Sequence, residues 1–289
     1  MKFAMKILLL TTLLACQAAF AATAPPPKYN VSYGDNPQQT MDVYCAAKPN
    51  GAAMMMVHGG GWLHGDKANA GVIQHKLETF GAEGWTVLSI NYPLPEPLAD
   101  GTTRTTMGVD DPVSQARSLA QAIAFAQKRA RFCHFDADKL GLVGHSAGAH
   151  LVTLVTADPS FLNNAGAKPT AFTVSLDSAA LNLVPIMAKP HDSLYDVFDH
   201  GDAYIQAASP YQHLSRTSTK APIMLVYSSD RGPGDERQTT QFATQAQSLG
   251  IKVTVQAEAL SHADIDDQLG VPGAYTTDVD KFMRKAVGL

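Results

Sequence analysis

The stretch Leu140-Gly-Leu-Val-Gly-His-Ser146-Ala-Gly-Ala-His150 decides the fold of this chain. Its first four residues predict a short buried strand, and the small residues from Ala147 onward predict a helix. Ser146 therefore lies in a tight strand-to-helix turn between two glycines, where its hydroxyl would project above the sheet as a nucleophile. An ordinary glycine- and serine-rich loop can have the same pattern, so the surrounding motifs decide between the two interpretations.

Predicted strands and helices alternate along the rest of the chain. Apolar runs bounded by glycine or proline indicate strands, and a period of about 3.6 residues indicates helices. Strands are expected at residues 30–33, 40–44, 52–57, 86–91, 140–143, 171–176, 222–227 and 252–256, and helices at 71–83, 111–131, 147–157, 238–250 and 277–287. This order predicts an α/β fold with a mostly parallel central sheet, helices on both faces and an opening hairpin.

A single domain is expected from residue 22 to residue 289. Hydrophobic residues make up 45% of the chain, enough for a large core. Charged residues make up only 17% and the net charge is −4, which argues against nucleic acid as a partner. The segment 178–221 contains three prolines and is expected to form a small insertion over the carboxyl edge of the sheet, where it would shape a substrate pocket.

The first 21 residues predict an export signal. Lys2 and Lys6 form a short cationic start before an apolar run, Ile7 to Ala15, that is too short to span a bilayer, and Ala19-Phe-Ala21 is typical of a signal cleavage site. Leu-Leu-Ala-Cys16 also resembles a bacterial lipobox, so a lipid anchor at Cys16 is the alternative to ordinary cleavage. Both alternatives predict an exported protein, periplasmic or extracellular, and nothing later in the sequence predicts a membrane span.

Two cysteines, Cys45 and Cys133, remain once Cys16 is removed with the signal. In an oxidising compartment such a pair is often bridged, and the alternative is two small buried thiols. No spacing of cysteine and histidine indicates a metal site.

A second motif, His58-Gly-Gly-Gly-Trp62, follows the predicted strand 52–57. Three successive glycines let backbone amides face a ligand without obstruction from a Cβ atom, and such amides can bind a developing oxyanion. A phosphate-binding loop is the competing interpretation. The stretch matches neither the dinucleotide-binding nor the P-loop pattern, which argues against that interpretation.

A serine nucleophile needs a base and an acid, which are expected downstream in the order acid, then histidine. His262 follows the last predicted strand directly and is the candidate base, whereas the other downstream histidines lie in the insertion. The acid is expected after the preceding strand, 222–227. Asp230 is the first candidate there, and Asp235 is the alternative because a Gly-Pro-Gly loop could fold back to present it.

Taken together, these motifs resemble the bacterial carboxylesterases of the α/β-hydrolase superfamily, among them relatives of hormone-sensitive lipase, feruloyl and acetyl-xylan esterases, and kynurenine formamidase. The similarity covers residues 31–270 and rests on the stretches His58 to Lys67, Asn91 to Pro93, Gly144 to His150, and His262 to Gly270. Two features depart from the family pattern. Pro93 stands where the family often has arginine, and the acid loop carries the Gly-Pro-Gly insertion.

The resemblance implies an α/β-hydrolase fold and a serine esterase that forms an acyl-enzyme. Ser146 would be the nucleophile, Asp230 the acid and His262 the base. The amides of Gly60, Gly61 and Ala147 would form the oxyanion hole. No metal or cofactor is implied, and the substrate would be a carboxylic ester, either a small molecule or linked to a polysaccharide. The alternatives are amide or formamide hydrolysis by the same triad, and a non-catalytic binding protein.

Overall fold

The computed structural model describes residues 26–98 and 102–289. The predicted signal, residues 1–21 with its lipobox at Cys16, lies outside the described residues. Within the described ranges, no helix is both long and apolar enough to cross a membrane.

Eight strands form a single sheet in the described part of the chain. They are β1 (Lys28–Ser32), β2 (Thr40–Tyr44), β3 (Ala53–Val57), β4 (Thr86–Ile90), β5 (Leu140–His145), β6 (Thr173–Leu176), β7 (Ile223–Ser228) and β8 (Val253–Glu258). Their spatial order is β1-β2-β4-β3-β5-β6-β7-β8. β2 is antiparallel to β1 and to β4, and all the other pairings are parallel. The carboxyl ends of β3 to β8 therefore meet at one edge of the sheet.

The α-helices of the described ranges flank this sheet. They are α1 (Ala70–Lys76), α2 (Pro112–Lys128), α3 (Ala147–Ala157), α4 (Ser160–Ala165), α5 (Val184–Met187), α6 (Asp202–Ala207), α7 (Pro233–Ser248), α8 (His262–Asp267) and α9 (Ala274–Val287). Local signals set their starts. Asp111, for example, caps α2 by accepting hydrogen bonds from two amides of its first turn, and Pro112 is the first helical residue.

Helices cover both faces of the sheet, because successive residues of a strand point to opposite faces. In β3, Met55 and Val57 belong to the apolar cluster that includes α2 and α3, whereas Met54 and Met56 belong to the cluster that includes α1, α8 and α9. The predicted α/β architecture, with its mostly parallel sheet and its opening hairpin, is confirmed.

The largest differences from the predicted elements concern helices. α1 ends at Lys76 and continues as a π-helical turn, Leu77–Gly81. α7 begins at Pro233, five residues before the predicted start, because proline suits the first turn of a helix. The sequence pattern missed α4 and α8, since helices of six residues carry too little periodicity to be recognised.

The insertion 178–221 connects β6 to β7 and consists of α5, α6 and two short 3-10 segments, Ser193–Phe198 and Pro210–His213. Leu194 in the first segment lies directly over Gly61, since a Cβ atom on that glycine would lie 2.5 Å from Leu194 Cδ1. The insertion therefore lies against the glycine loop that follows β3.

A buried hydrogen-bond chain joins the glycine loop, α3 and the insertion. Trp62 Nε1 donates to His150 Nδ1 at 3.1 Å, and His150 Nε2 donates to the carbonyl of Ala208 at 2.8 Å. This arrangement requires a neutral imidazole. Burial lowers the pKa of His150 to about 4, opposed only in part by the bond to the Ala208 carbonyl.

Cys45 and Cys133 form a disulfide that joins the end of β2 to the segment before β5. Of the two alternatives that the sequence left open, the structure therefore has the bridge. The two cysteines are separated by 88 positions in the sequence, and cross-links across long loops restrict the unfolded chain most strongly.

We expect the protein to lose stability in acid through His150. The unfolded imidazole takes up a proton near its ordinary pKa of 6.5, whereas the buried imidazole does so only near 4. Neutral His150 therefore contributes fully to the stability of the folded state above pH 6.5. This contribution, about 3 kcal/mol, is lost as the pH falls toward 4. Urea unfolding at pH 7.5 and 4.5 should show a smaller pH-dependent loss in His150→Gln than in the wild type. Equal losses would contradict this prediction.

Candidate active site

Ser146 occupies the turn between β5 and α3 in a strained backbone conformation, with φ 55° and ψ −116°. Residues other than glycine keep such angles only where the surrounding structure enforces them. The flanking glycines permit the turn. A Cβ atom on Gly144 would collide with the carbonyl of Gly148, and one on Gly148 would collide with the carbonyl of Val57. The predicted elbow is therefore present, and both of its glycines are sterically required.

His262 lies beside this serine. Its Nε2 atom is 2.9 Å from Ser146 Oγ. The residue begins α8 instead of lying in a loop, and Ser261 caps the helix by accepting a hydrogen bond from the amide of Asp264. The helix start fixes the backbone from which the imidazole reaches the serine. The structure thus brings the predicted base to the predicted nucleophile.

The carboxylate beside His262 belongs to Asp177. Its Oδ2 atom lies 2.6 Å from His262 Nδ1, and its side chain is 0% exposed. Asp177 follows β6 directly, with a φ of 56°, and its amide donates to the carbonyl of Val226 in β7 at 2.8 Å. Ser146, His262 and Asp177 therefore form one continuous hydrogen-bonded chain.

The prediction that Asp230 lies beside His262 is wrong, and so is the alternative, Asp235. Asp230 is exposed where the chain turns away after β7, and its amide donates to Ser228 Oγ at 3.2 Å. Asp235 lies in the first turn of α7, and its Oδ2 atom is 3.2 Å from Arg231 Nε. Neither carboxylate contacts His262.

The sequence does contain a signal for Asp177, because an acidic residue directly follows the apolar run 171–176. The sequence predicts the acid after the strand that immediately precedes the last strand. Parallel strands end at a common edge, so a residue after β6 can reach the helix that follows β8 as readily as a residue after β7 can.

Asp177 is held in its ionised form. Burial alone would raise its pKa, but hydrogen bonds from His262 and from the amide of Ser228 at 2.9 Å, with the nearby guanidinium of Arg231, leave that pKa below its ordinary value. A buried carboxylate needs such partners to remain charged. The ionised carboxylate accepts from Nδ1–H of His262, and Nε2 is then free to accept from Ser146.

Arg231, which no sequence motif indicated, lies against the same pair. Its NH1 group is 3.0 Å from Asp177 Oδ2 and 3.1 Å from His262 Nδ1. Because Nδ1–H is committed to Asp177, the guanidinium donates to the carboxylate. Its Nε is paired with Asp235. The loop after β7, which was expected to supply the acid, therefore supplies a cation that contacts Asp177.

His145, the residue before the nucleophile, supports His262 from the other side. Burial lowers the pKa of His145, although nearby Asp266 opposes the shift, so the ring is neutral at neutral pH. Its Nε2 donates to the backbone carbonyl of His262 at 2.8 Å. Asp266 in turn is paired with the fully buried Lys76 at 2.9 Å. This arrangement fixes the backbone position of His262 relative to β5, the strand that precedes Ser146.

The glycine loop lies close to Ser146. A Cβ atom on Gly59 would lie 2.9 Å from Ser146 Cβ. Gly60 and Gly61 have φ values of 112° and 60°, in the region that favours glycine, and Gly60 accepts the hydrogen bonds that close the turn, from Leu63 and His64. Oxyanion binding stays a prediction, and the backbone amides expected to provide it are those of Gly60, Gly61 and Ala147.

The arrangement can remove a proton from Ser146 and return it to a leaving group through His262. In the part of the chain that the structure describes, no group of three or more histidine, cysteine, aspartate or glutamate side chains could hold a metal ion.

Comparisons with known proteins agree with the fold. Residues 41–174 match the BD-FAE family model. Kynurenine formamidase of Danio rerio is 24% identical over 246 residues, which cover 83% of this chain and 76% of that protein. A truncated carbohydrate esterase from gut microbiota superposes with a TM-score of 0.69 at 16% identity, covering 93% of this chain and 98% of that chain. Esterase B from Lactobacillus rhamnosis superposes with a TM-score of 0.68 at 18% identity, covering 91% and 86%.

The sheet order, the strained serine and its histidine together define a protein of the α/β-hydrolase fold. The resemblance to carboxylesterases of that superfamily, inferred from the motifs, is confirmed. Residues 41–174, which carry the glycine loop and Ser146, are similar to the BD-FAE family.

The assignment of the acid can be tested with p-nitrophenyl acetate as a general ester reagent. Asp177→Asn should lower kcat/KM by about 10⁴-fold, because an amide no longer enforces the imidazole tautomer that accepts the serine proton. Asp230→Asn is the matched control, with the same change at an exposed position, and should stay within about twofold of wild type. A large loss in the control, with a near-normal Asp177→Asn, would reverse the assignment.

Proposed function

We propose that the protein is a serine hydrolase of carboxylic esters that works through an acyl-enzyme. The observation that carries the proposal is the hydrogen-bonded chain from Ser146 through His262 to the buried carboxylate of Asp177. The match to the BD-FAE family model and the similarity to solved esterases support ester hydrolysis as the reaction.

In the first half of the reaction, Ser146 Oγ attacks the ester carbonyl while His262 Nε2 takes the serine proton. The imidazolium that forms keeps its Nδ1–H bond to Asp177, whose charge stabilises it without accepting the proton. His262 then donates its Nε2 proton to the leaving alcohol. The products of this half are the free alcohol and an ester of Ser146.

In the second half, a water molecule replaces the alcohol. His262 takes its proton, the oxygen attacks the acyl carbonyl, and the proton returns to Ser146 as the carboxylic acid leaves. Both halves pass through a tetrahedral oxyanion. We assign its binding to the amides of Gly60, Gly61 and Ala147, each of which would contribute roughly 10² to 10³ in rate.

The insertion supplies the wall of the proposed substrate site. Leu194 lies over Gly61, and the half-buried Tyr195 has its ring 6.5 Å from that of Trp62. An apolar and aromatic wall beside the glycine loop suits a small or aromatic acyl group. A polysaccharide-linked ester is a substrate of the same class, and similarity to a carbohydrate esterase supports it.

We also propose that the mature chain, residues 22–289, is exported and acts outside the cytoplasm.

Formamide hydrolysis is the second candidate, and the similarity to kynurenine formamidase supports it. The same serine, histidine and aspartate would serve, with an amine as the leaving group. An amine leaves less readily than an alcohol, so protonation by His262 becomes more important.

The nucleophile can be tested directly. Ser146→Ala should lower turnover of p-nitrophenyl acetate by about 10⁶-fold, because the covalent step is lost. A fluorophosphonate probe should label the wild type at Ser146 and leave the variant unlabelled. Near-normal turnover in a folded variant would refute the proposed mechanism, and the absence of a wild-type adduct would favour a non-catalytic binding protein.

The two candidate reactions can be separated by comparing methyl ferulate, acetylated xylan and N-formylkynurenine under identical conditions. We expect at least one ester to have the larger kcat/KM, because the family model and the solved structures point to esterases. Faster turnover of the formamide than of both esters would assign the protein to the second reaction. Ser146→Ala is the control, since any hydrolysis it retains does not arise at this site.

A further inference from the structure

An apolar cavity of about 290 Å³ lies between the β1–β2 hairpin and the carboxyl end of α2. It shares no lining residue with the candidate active site. Its buried lining includes Met41, Leu88 and Phe135, whereas Val43 is half-buried and Phe132 is 48% exposed. Apolar cavities of this kind hold water poorly and accept apolar ligands. The cavity is therefore suited to a hydrocarbon group that enters from solvent.

Two cations lie at the edge of this cavity, and both are exposed. Lys28 Nζ is 4.0 Å from the centre of the Phe132 ring, and Arg129 Cζ is 3.7 Å from the centre of the Phe125 ring. Among the described residues that line the cavity, these two alone are charged. Among the described residues neither forms an ion pair. Two unpaired cations beside an apolar cavity are complementary to an anionic head group attached to an apolar tail.

We propose that this cavity binds a single-chain alkyl carboxylate of medium length. The tail occupies the apolar cavity, and the carboxylate lies between Lys28 and Arg129. A concave apolar surface encloses one chain, whereas a bilayer surface is flat, and this geometry favours the free amphiphile over a membrane. The site is independent of the proposed ester hydrolysis, because it uses none of the residues assigned to that reaction.

Calorimetric titration of the wild type with hexanoate, octanoate and decanoate, each below its micelle concentration, tests the proposal. We expect one saturable site, with affinity rising about fourfold for each added methylene. 1-Octanol, which lacks the charge, should bind more weakly than octanoate. Enzyme already labelled by a fluorophosphonate should bind decanoate equally well, because the catalytic serine is not involved.

Two variants locate the site. Val43→Trp should fill the cavity and weaken decanoate binding by more than tenfold. The exposed double substitution Lys28→Gln/Arg129→Gln leaves the cavity intact and should weaken decanoate by about tenfold while leaving 1-octanol unchanged. Lys252→Gln/Lys285→Gln removes the same charge from exposed positions outside the cavity and should bind decanoate like the wild type. All variants should keep wild-type turnover of p-nitrophenyl acetate, which reports that each is folded.

Four outcomes would overturn the proposal. The first is the absence of saturable decanoate binding. The second is binding that neither Val43→Trp nor the double substitution changes. The third is loss of binding in the fluorophosphonate-labelled enzyme, which would place the ligand at the catalytic site. The fourth is binding to phosphatidylglycerol vesicles without binding to monomeric decanoate, which would indicate a membrane-docking surface.

Discussion

The candidate site depends on the hydrogen bond between His262 Nδ1 and the buried carboxylate of Asp177. That bond selects the imidazole tautomer whose other nitrogen can accept the proton of Ser146. An ionised carboxylate away from water needs several donors to remain charged, and here the donors come from separate elements. His262 begins α8, the Ser228 amide ends β7, and Arg231 follows β7. The site therefore forms only when the sheet and the helix beyond it are correctly assembled.

The conspicuous sequence motifs correspond to places where backbones approach too closely for a side chain. Gly144 and Gly148 permit the strained conformation of Ser146, and Gly59 brings the glycine loop against the serine Cβ. The bulky motif residues have a different role. Trp62 and His150 link the glycine loop, α3 and the insertion through buried hydrogen bonds. The glycines thus allow close approach, and the aromatic residues hold the approaching segments in place.

The sequence could predict the features that depend on neighbouring residues, and it could not predict those that depend on how distant segments meet in the fold. Apolar periodicity located each strand, and the glycine motifs located Ser146, because both depend on residues near one another in the chain. The acid depends instead on which strand end faces α8 in space. Leu176-Asp177 and Ser229-Asp230 are similar local patterns, each an aspartate at the end of an apolar strand. Only the folded sheet distinguishes them, by burying Asp177 against His262 and leaving Asp230 in solvent.

Arg231, in the same loop as Asp230, affects the charge of Asp177. Its guanidinium stabilises the charge on Asp177 and so helps to keep that carboxylate ionised. The same guanidinium lies 3.1 Å from His262 Nδ1. Asp235 partly balances its positive charge by pairing with the Nε side of the guanidinium. It is itself half-buried, and burial raises its pKa although Arg231 opposes the shift. The charges of Asp177, Arg231 and Asp235 are therefore interdependent, and the loop after β7 influences the site through electrostatics without supplying its acid.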